Sequence, residues 1–417
     1  MKNNSLKNSL KYSTIEGSMW AFMYGMGENY LSAMSVFLGY TAIQISILNS
    51  FPHLIGSFLQ LYSNSLVVKF KSSKFVVVWL SFIQSTLWIL LIFILNYTQN
   101  YNFIFLWFML YFLCNSLINP VWTSWMGYLV PKRIRGNYHG SRNRIISFYV
   151  LVSIFIGGFI LKIFDNNLTL GFSVLFMIAS FGRFLSTYYL RKKDEFQYKK
   201  NKVYNKFSYF LKNEITLKFI IFKTSINFSV MFLGPLFAIY ILRTLELSNF
   251  ILSLCTISWW SANVVSSKYW GEYIKLNGNI SVLKISTIFL FILPLFWILS
   301  YYLKGLILIS FILSINLMAG ITFSGFSLST FNLTFELVEK NDVAKYTSLL
   351  RLGEGIAIFI GALIAGAIVD SNYINNLFIN MNFTSIQFSM LISTLLRFMC
   401  FVFFLNYEKK LKLLILR

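Results

Sequence analysis

The stretch that decides the architecture is RKKDEFQYKKNKVYNKFSYFLKN (Arg191–Asn213), the longest polar segment of a 417-residue chain. On both sides of it lie apolar runs of about 20 residues, enough to cross a hydrocarbon core of about 30 Å. Before it they fall near residues 18–40, 43–68, 75–97, 102–130, 145–164 and 169–190. After it they fall near 216–242, 249–268, 282–302, 305–336, 346–369 and 384–406. Lipid offers no partner to unpaired backbone groups, so these runs are expected to be helices. The expected fold is an all-α membrane protein with twelve transmembrane helices in two pseudo-symmetric six-helix halves. The halves are residues 1–190 and 214–417, joined by a basic cytoplasmic linker over 191–213.

Composition agrees. The chain is 57% hydrophobic and only 12% charged, against about 25% charged in a soluble domain. One core cannot hide that much apolar surface in a chain of this size, which excludes an ordinary cytosolic enzyme. The net charge of +22 sits mostly in short loops between apolar runs, which argues against nucleic-acid binding. Alternating the spans from a cytoplasmic N-terminus puts 30 of the 36 lysines and arginines on the cytoplasmic side and 3 on the other. The remaining three, Arg183, Lys223 and Arg397, lie within helices. That asymmetry follows the positive-inside rule and places both termini in the cytoplasm.

Cys114, Cys255 and Cys400 lie in apolar runs, and His53 and His139 are too separated for a metal site. No metal and no cofactor is expected. Neither a Walker A sequence, nor HExxH, nor a paired-carboxylate motif occurs, so the chain is not read as an enzyme.

The halves echo one another. Leu129-Val130 returns as Leu337-Val338, Tyr138 as Tyr346, Gly158 as Gly366 and Gly27 as Gly234, at nearly constant spacing; Arg183-Phe184 returns as Arg397-Phe398. Two parallel six-helix repeats enclosing a midplane solute site are a known transporter plan.

Two segments carry a family resemblance. NPVWTSWMGYLVPKRIRGNYHGSRNRI (Asn119–Ile145) is similar to the loop after the fourth span in a branch of bacterial permeases of the major facilitator superfamily. AGITFSGFSLSTFNLTFELV (Ala319–Val338), followed by GEGIAIFIGALIAG (Gly353–Gly366), is a second match. The chain resembles that superfamily over essentially its whole length, which implies a multi-pass protein of the bacterial inner membrane. The superfamily's signature Gly-x-x-x-Asp-Arg-x-Gly-Arg is degenerate here. GEYIKLNGN keeps Gly271 and Gly278 but has Lys275 at the acid position, and SLVVKFKSSK (Ser65–Lys74) has Lys69 there. With Arg135, Gly136 and Arg351, the two glycines are candidate gating-loop residues.

Ionisable groups at bilayer depth each need an explanation. Glu28 lies about ten residues into the first span, roughly 15 Å along a helix. There it is either a proton-coupling carboxyl or a permanently protonated structural group. Glu354 is a second proton-coupling candidate, or the partner of Arg351 three residues earlier on one helix. Lys223 either reaches a solute cavity or snorkels. The other candidate cavity residues are Asn29, Asn115, Asn119, Trp122, Asn227, Tyr240, Asn263 and Asn316. The leading expectation is a monomeric secondary transporter of a small-molecule substrate, working by alternating access in a lipid bilayer with protons as coupling ion. A non-transporting scaffold or receptor on the same fold is the competing reading.

Overall fold

The computed structural model describes residues 2–131, 134–195, 207–339, 342–378 and 382–415. Helices account for nearly all of them, and no strand occurs among the described residues. The helices are α1 (Lys2–Met26), α2 (Leu31–Phe37), α3 (Ala42–Leu59), α4 (Ser63–Phe70), α5 (Ser73–Tyr97), α6 (Tyr101–Leu129), α7 (Arg135–Ile163) and α8 (Leu168–Arg191). They continue as α9 (Phe207–Lys212), α10 (Glu214–Met231), α11 (Leu236–Ile239), α12 (Asn249–Ser300), α13 (Gly305–Glu336), α14 (Val343–Asp370), α15 (Asn372–Phe378) and α16 (Ser385–Ile415). Of the linker expected over 191–213, residues 196–206 lie outside the described residues.

Ten helical stretches among the described residues are long and apolar enough to cross a membrane. One of them, α12, spans 52 residues and is broken at Gly278, where φ is +78° and ψ is 165°. The first apolar run is not among the ten. It is divided between the end of α1, a 3-10 turn over Glu28–Tyr30, and α2.

The abundant asparagines have a local use. Asn100, Asn167 and Asn213 each cap a helix, accepting from the backbone N–H of Asn102, Leu170 and Ile215 at 2.9, 3.1 and 3.0 Å. Ser72 does the same for α5 through Phe75 N–H. Side-chain oxygens at these positions satisfy backbone donors that the first helical turn leaves free.

The chain divides into two compact units. The first comprises Met1–Tyr40, Phe51–Lys200 and Ser248–Ser253, and the second Thr41–Ser50, Asn201–Leu247 and Leu254–Arg417. Within the first, Trp88, Trp107, Tyr111 and Phe176 form a buried aromatic cluster, Trp107 and Tyr111 stacking at 4.9 Å between centroids. Within the second, Phe219, Phe222, Ile226, Leu290, Phe326 and Phe404 belong to a buried core joining α10, α12, α13 and α16. The second unit also holds the start of α3, whose Ala42 and Ile43 N–H groups donate to the Asp370 carboxylate at 2.9 and 2.7 Å.

Candidate functional site

In the first unit the chemistry gathers where the first span breaks. α1 ends at Met26, Gly27 leaves helical geometry (φ −104°, ψ −84°), and Glu28–Tyr30 form the 3-10 turn. Glu28 accepts from the Tyr111 hydroxyl at 2.6 Å. The same hydroxyl lies 2.9 Å from Met23 Sδ. It has one proton, and an ionised carboxylate is the stronger acceptor by about twofold. Asn29 is half-buried in the same turn.

A second buried group in this unit was not anticipated from sequence. Glu16 accepts from Arg142 Nη2 at 3.2 Å, Lys193 Nζ at 3.4 Å and Trp122 Nε1 at 3.1 Å, with Ser186 Oγ at 3.5 Å. Lys193 is wholly buried, its ammonium 4.4 Å from the Trp125 ring and 5.5 Å from that of Trp122. Burial pushes the Lys193 ammonium down to about 8, Glu16 resisting the fall and Arg142 adding to it. Asp194 beside it accepts from Ser9 Oγ at 2.7 Å, and Lys74 Nζ donates to the Lys193 carbonyl at 2.8 Å. The root of the expected linker is therefore fastened to the ends of α1, α5 and α6. Five residues separated by up to 177 positions meet here, and no local motif marks them.

Arg183, on α8, joins this network from within the membrane-length helices. It does not snorkel. Its Nε and Nη2 donate to Gln84 Oε1 at 3.0 and 2.6 Å, Nη2 also to Ser81 Oγ at 2.9 Å, and Nη1 to Ser186 Oγ at 3.4 Å. Its charge also acts on Glu16 and Glu28.

In the second unit the seventh apolar run is interrupted around Gly234, the sequence echo of Gly27. α10 ends at Met231, a turn carries Gly234, and the chain resumes as α11 and a π-helical turn over Tyr240–Thr244. Lys223 Nζ lies 2.7 Å from Glu354 Oε1, linking α10 to α14. Arg351 is exposed, and no Arg351–Glu354 ion pair of the kind considered above occurs among the described residues. The two helices pack closely beside the Lys223–Glu354 pair: a Cβ on Gly353 would stand 2.6 Å from Thr224 Oγ1. Asn227 Nδ2 donates to the Lys223 carbonyl at 2.9 Å.

The remaining candidates scatter. Asn115 is half-buried and Asn119 exposed on α6, while Trp122 belongs to the Glu16 group. Tyr240 is buried with its hydroxyl 3.0 Å from both the Trp297 carbonyl and Ser300 Oγ. Asn316 Nδ2 donates to the Ile312 carbonyl at 2.8 Å, and Asn263 Nδ2 to that of Gly320 at 3.4 Å. Arg135 and Gly136 open α7, and their side-chain surroundings lie outside the described residues. Gly278 supplies the break in α12, and Gly271 stands in open surroundings.

No protein-family model matches the chain, and no curated protein matches it. Solved structures do. A variant of the nucleoside transporter NupG aligns with a TM-score of 0.74 at 14% identity, covering 96% of this chain and 99% of that one. An inward-facing bacterial homologue of the iron transporter ferroportin aligns at 0.71 and 14% identity, covering 98% and 99%. The POT family transporter PepTSo aligns at 0.71 and 12% identity, covering 97% and 98%. The chain has the fold of major facilitator superfamily transporters, a multi-pass integral membrane architecture.

Proposed function

We propose that this protein is a secondary active transporter of a small solute, working by alternating access and coupled to protons through Glu28. On this reading α1–α2 form one span and α12 two, giving twelve in two six-helix halves, 1–190 and 214–417. The linker over 191–213 and both termini are cytoplasmic, in a bacterial inner membrane. The supporting observation is the paired interruption at Gly27 and Gly234, with Glu28 standing in the first break. Broken helices at equivalent places in two repeats are where carriers of this plan build solute and ion sites. A carboxyl there, held by the neutral Tyr111 hydroxyl, can gain and lose a proton without breaking an ion pair, since it forms none among the described residues.

The test is reconstitution in proteoliposomes with a metabolite panel, with and without a pH gradient. Glu28→Gln imitates the protonated carboxyl without a removable proton. It should abolish gradient-driven accumulation of the transported solute and leave exchange at zero gradient largely intact. Exchange needs only the loaded carrier to reorient, whereas net uptake needs the proton to leave. Accumulation at the wild-type level in Glu28→Gln would remove Glu28 from the coupling role.

A further inference from the structure

The Lys223–Glu354 pair has a geometry that constrains what a solute must carry. Lys223 lies nine residues past Glu214 and Glu354 nine past Lys345, roughly 14 Å along each helix. Neither faces the outer apolar side of its helix. On α14 the exposed apolar stripe is Ile356, Ile360 and Ile364; Glu354 lies about 200° around the helix from Ile356. On α10 Lys223 bears the same relation to the exposed Ile221. Yet both side chains keep some exposure, 19% for Lys223 and 13% for Glu354. By helical geometry both residues sit on the side of their helix opposite those exposed isoleucines. Beside the pair, Thr224 Oγ1 is buried with no hydrogen-bond partner among the described residues.

We propose that Lys223 and Glu354 form the polar part of a solute site that takes zwitterions, the solute's ammonium pairing with Glu354 and its carboxylate with Lys223 and the Thr224 hydroxyl. This rests on the carrier reading above and names its substrate class. Charge accounting supports it. A solute with only an ammonium group takes Glu354 and leaves Lys223 uncompensated at bilayer depth; a simple anion does the reverse. Either leaves a partly buried charge alone, which is far costlier than keeping the pair closed. An uncharged solute does not open the pair. A solute with both charges opens it while every charge stays paired and the site stays neutral. Sites built around such groups reject analogues lacking one partner much more strongly than apolar pockets reject a missing methylene.

The experiment measures ligand-induced thermal stabilisation of the purified full chain. The probes are the proteinogenic amino acids, dipeptides and glycine betaine, then the amine and the acid lacking one charge of whichever zwitterion responds, and uridine and glucose as uncharged probes. For leucine the counterparts are 3-methylbutylamine and 4-methylpentanoate. We expect stabilisation by a zwitterion and at least about 100-fold weaker response to either counterpart. The double variant Lys223→Met/Glu354→Gln, which removes both charges together, should fold and lose the zwitterion response. Lys223→Met alone should shift preference toward the amine counterpart. Stabilisation by uncharged or singly charged solutes alone, no response to any zwitterion, or wild-type binding by the double variant overturns the proposal. Transport is a separate readout. A zwitterion that binds but shows no counterflow in proteoliposomes sinks the carrier reading and leaves this site standing.

Discussion

Each unit buries one arginine in the middle of its last long helix, and the two are supported differently. Arg183 on α8 is surrounded by side chains made to receive it: Gln84, Ser81 and Ser186, with the carboxylates of Glu16 and Glu28 within electrostatic reach. Arg397 on α16 donates from Nη1 to the Leu290 carbonyl at 2.8 Å, and its Nε has no partner among the described residues. Arg183-Phe184 and Arg397-Phe398 echo one another in the sequence, yet their polar surroundings differ. The first unit gathers charge into a network running from Arg183 through Ser186 to Glu16, Arg142 and Lys193. The second is held mainly by its aromatic and aliphatic core.

If that contrast is right, the largest loss comes from Glu16. Glu16→Ala leaves Lys193 and Arg142 buried without their carboxylate, and breaking a buried pair this way costs about 3–5 kcal/mol. In the second unit Glu408 pairs with Lys284 at 3.2 Å, but the Lys284 side chain is 42% exposed. Removing that acid should cost less than about 1 kcal/mol. Thermal unfolding in detergent compares the two. The pH dependence sharpens it. Lys193 is held at about 8 against an ordinary 10.5, so the folded state releases this proton before the unfolded state does. The penalty for keeping it charged is fully present below pH 8 and disappears as pH rises toward 10.5, so stability gained from this group rises across that window. Lys193→Met should flatten that rise relative to wild type.

The arginines themselves come next. Arg183→Met strands Gln84 and Ser81 in a buried setting, a loss of about 2–3 kcal/mol. Arg397→Met removes a buried cation supported by one carbonyl and should be neutral or stabilising, as replacing buried charge with an apolar side chain of similar length often is. Equal losses for the two variants would erase the distinction between the units.

Much of this plan was legible in the sequence, for identifiable reasons. Helix positions follow from apolar length, but the breaks do not: the first and seventh runs read as continuous spans, and their interruptions after Met26 and Met231 appear only in the structure. The Gly353–Gly366 run stands in the sequence as part of the family resemblance; in the structure its Gly353 packs α14 closely on α10 at Thr224. Which charges meet was not legible. Arg351 and Glu354 sit at ideal intrahelical spacing, yet Glu354 takes Lys223, because a tertiary contact at 2.7 Å lay 131 positions away. Glu16 precedes the first apolar run, and Lys193 falls at the start of the expected cytoplasmic linker. Both are buried because α1 extends as a helix beyond the apolar run and carries Glu16 into the bundle. Composition marks a segment as polar; it does not say whether its partners come from solvent or from other helices.

The smallest effect expected concerns the turns of the degenerate signature, where the two units again solve one problem differently. Gly278 breaks α12 at φ +78° and ψ 165°, a region that side chains other than hydrogen enter only at about 1–3 kcal/mol. Nothing stands within 4 Å of where its Cβ would be. Gly278→Ala therefore tests backbone strain without a steric clash, and it should cost an amount in that range. The first unit turns after α4 at Lys71, with φ +53° and ψ +18°, the left-handed region, which costs a non-glycine residue roughly 1–2 kcal/mol. Lys71→Gly relieves that strain but frees more backbone entropy in the unfolded chain, roughly 0.5–1 kcal/mol. The difference is a net gain of about 0.5 kcal/mol. Chemical denaturation of the two single variants measures both signs. Opposite signs mean that glycine is required at one turn and merely compatible with the other. If Gly278→Ala is as stable as wild type, the break in α12 does not depend on a glycine-only conformation, and Gly278 loses its claim to be the residue that sets that turn.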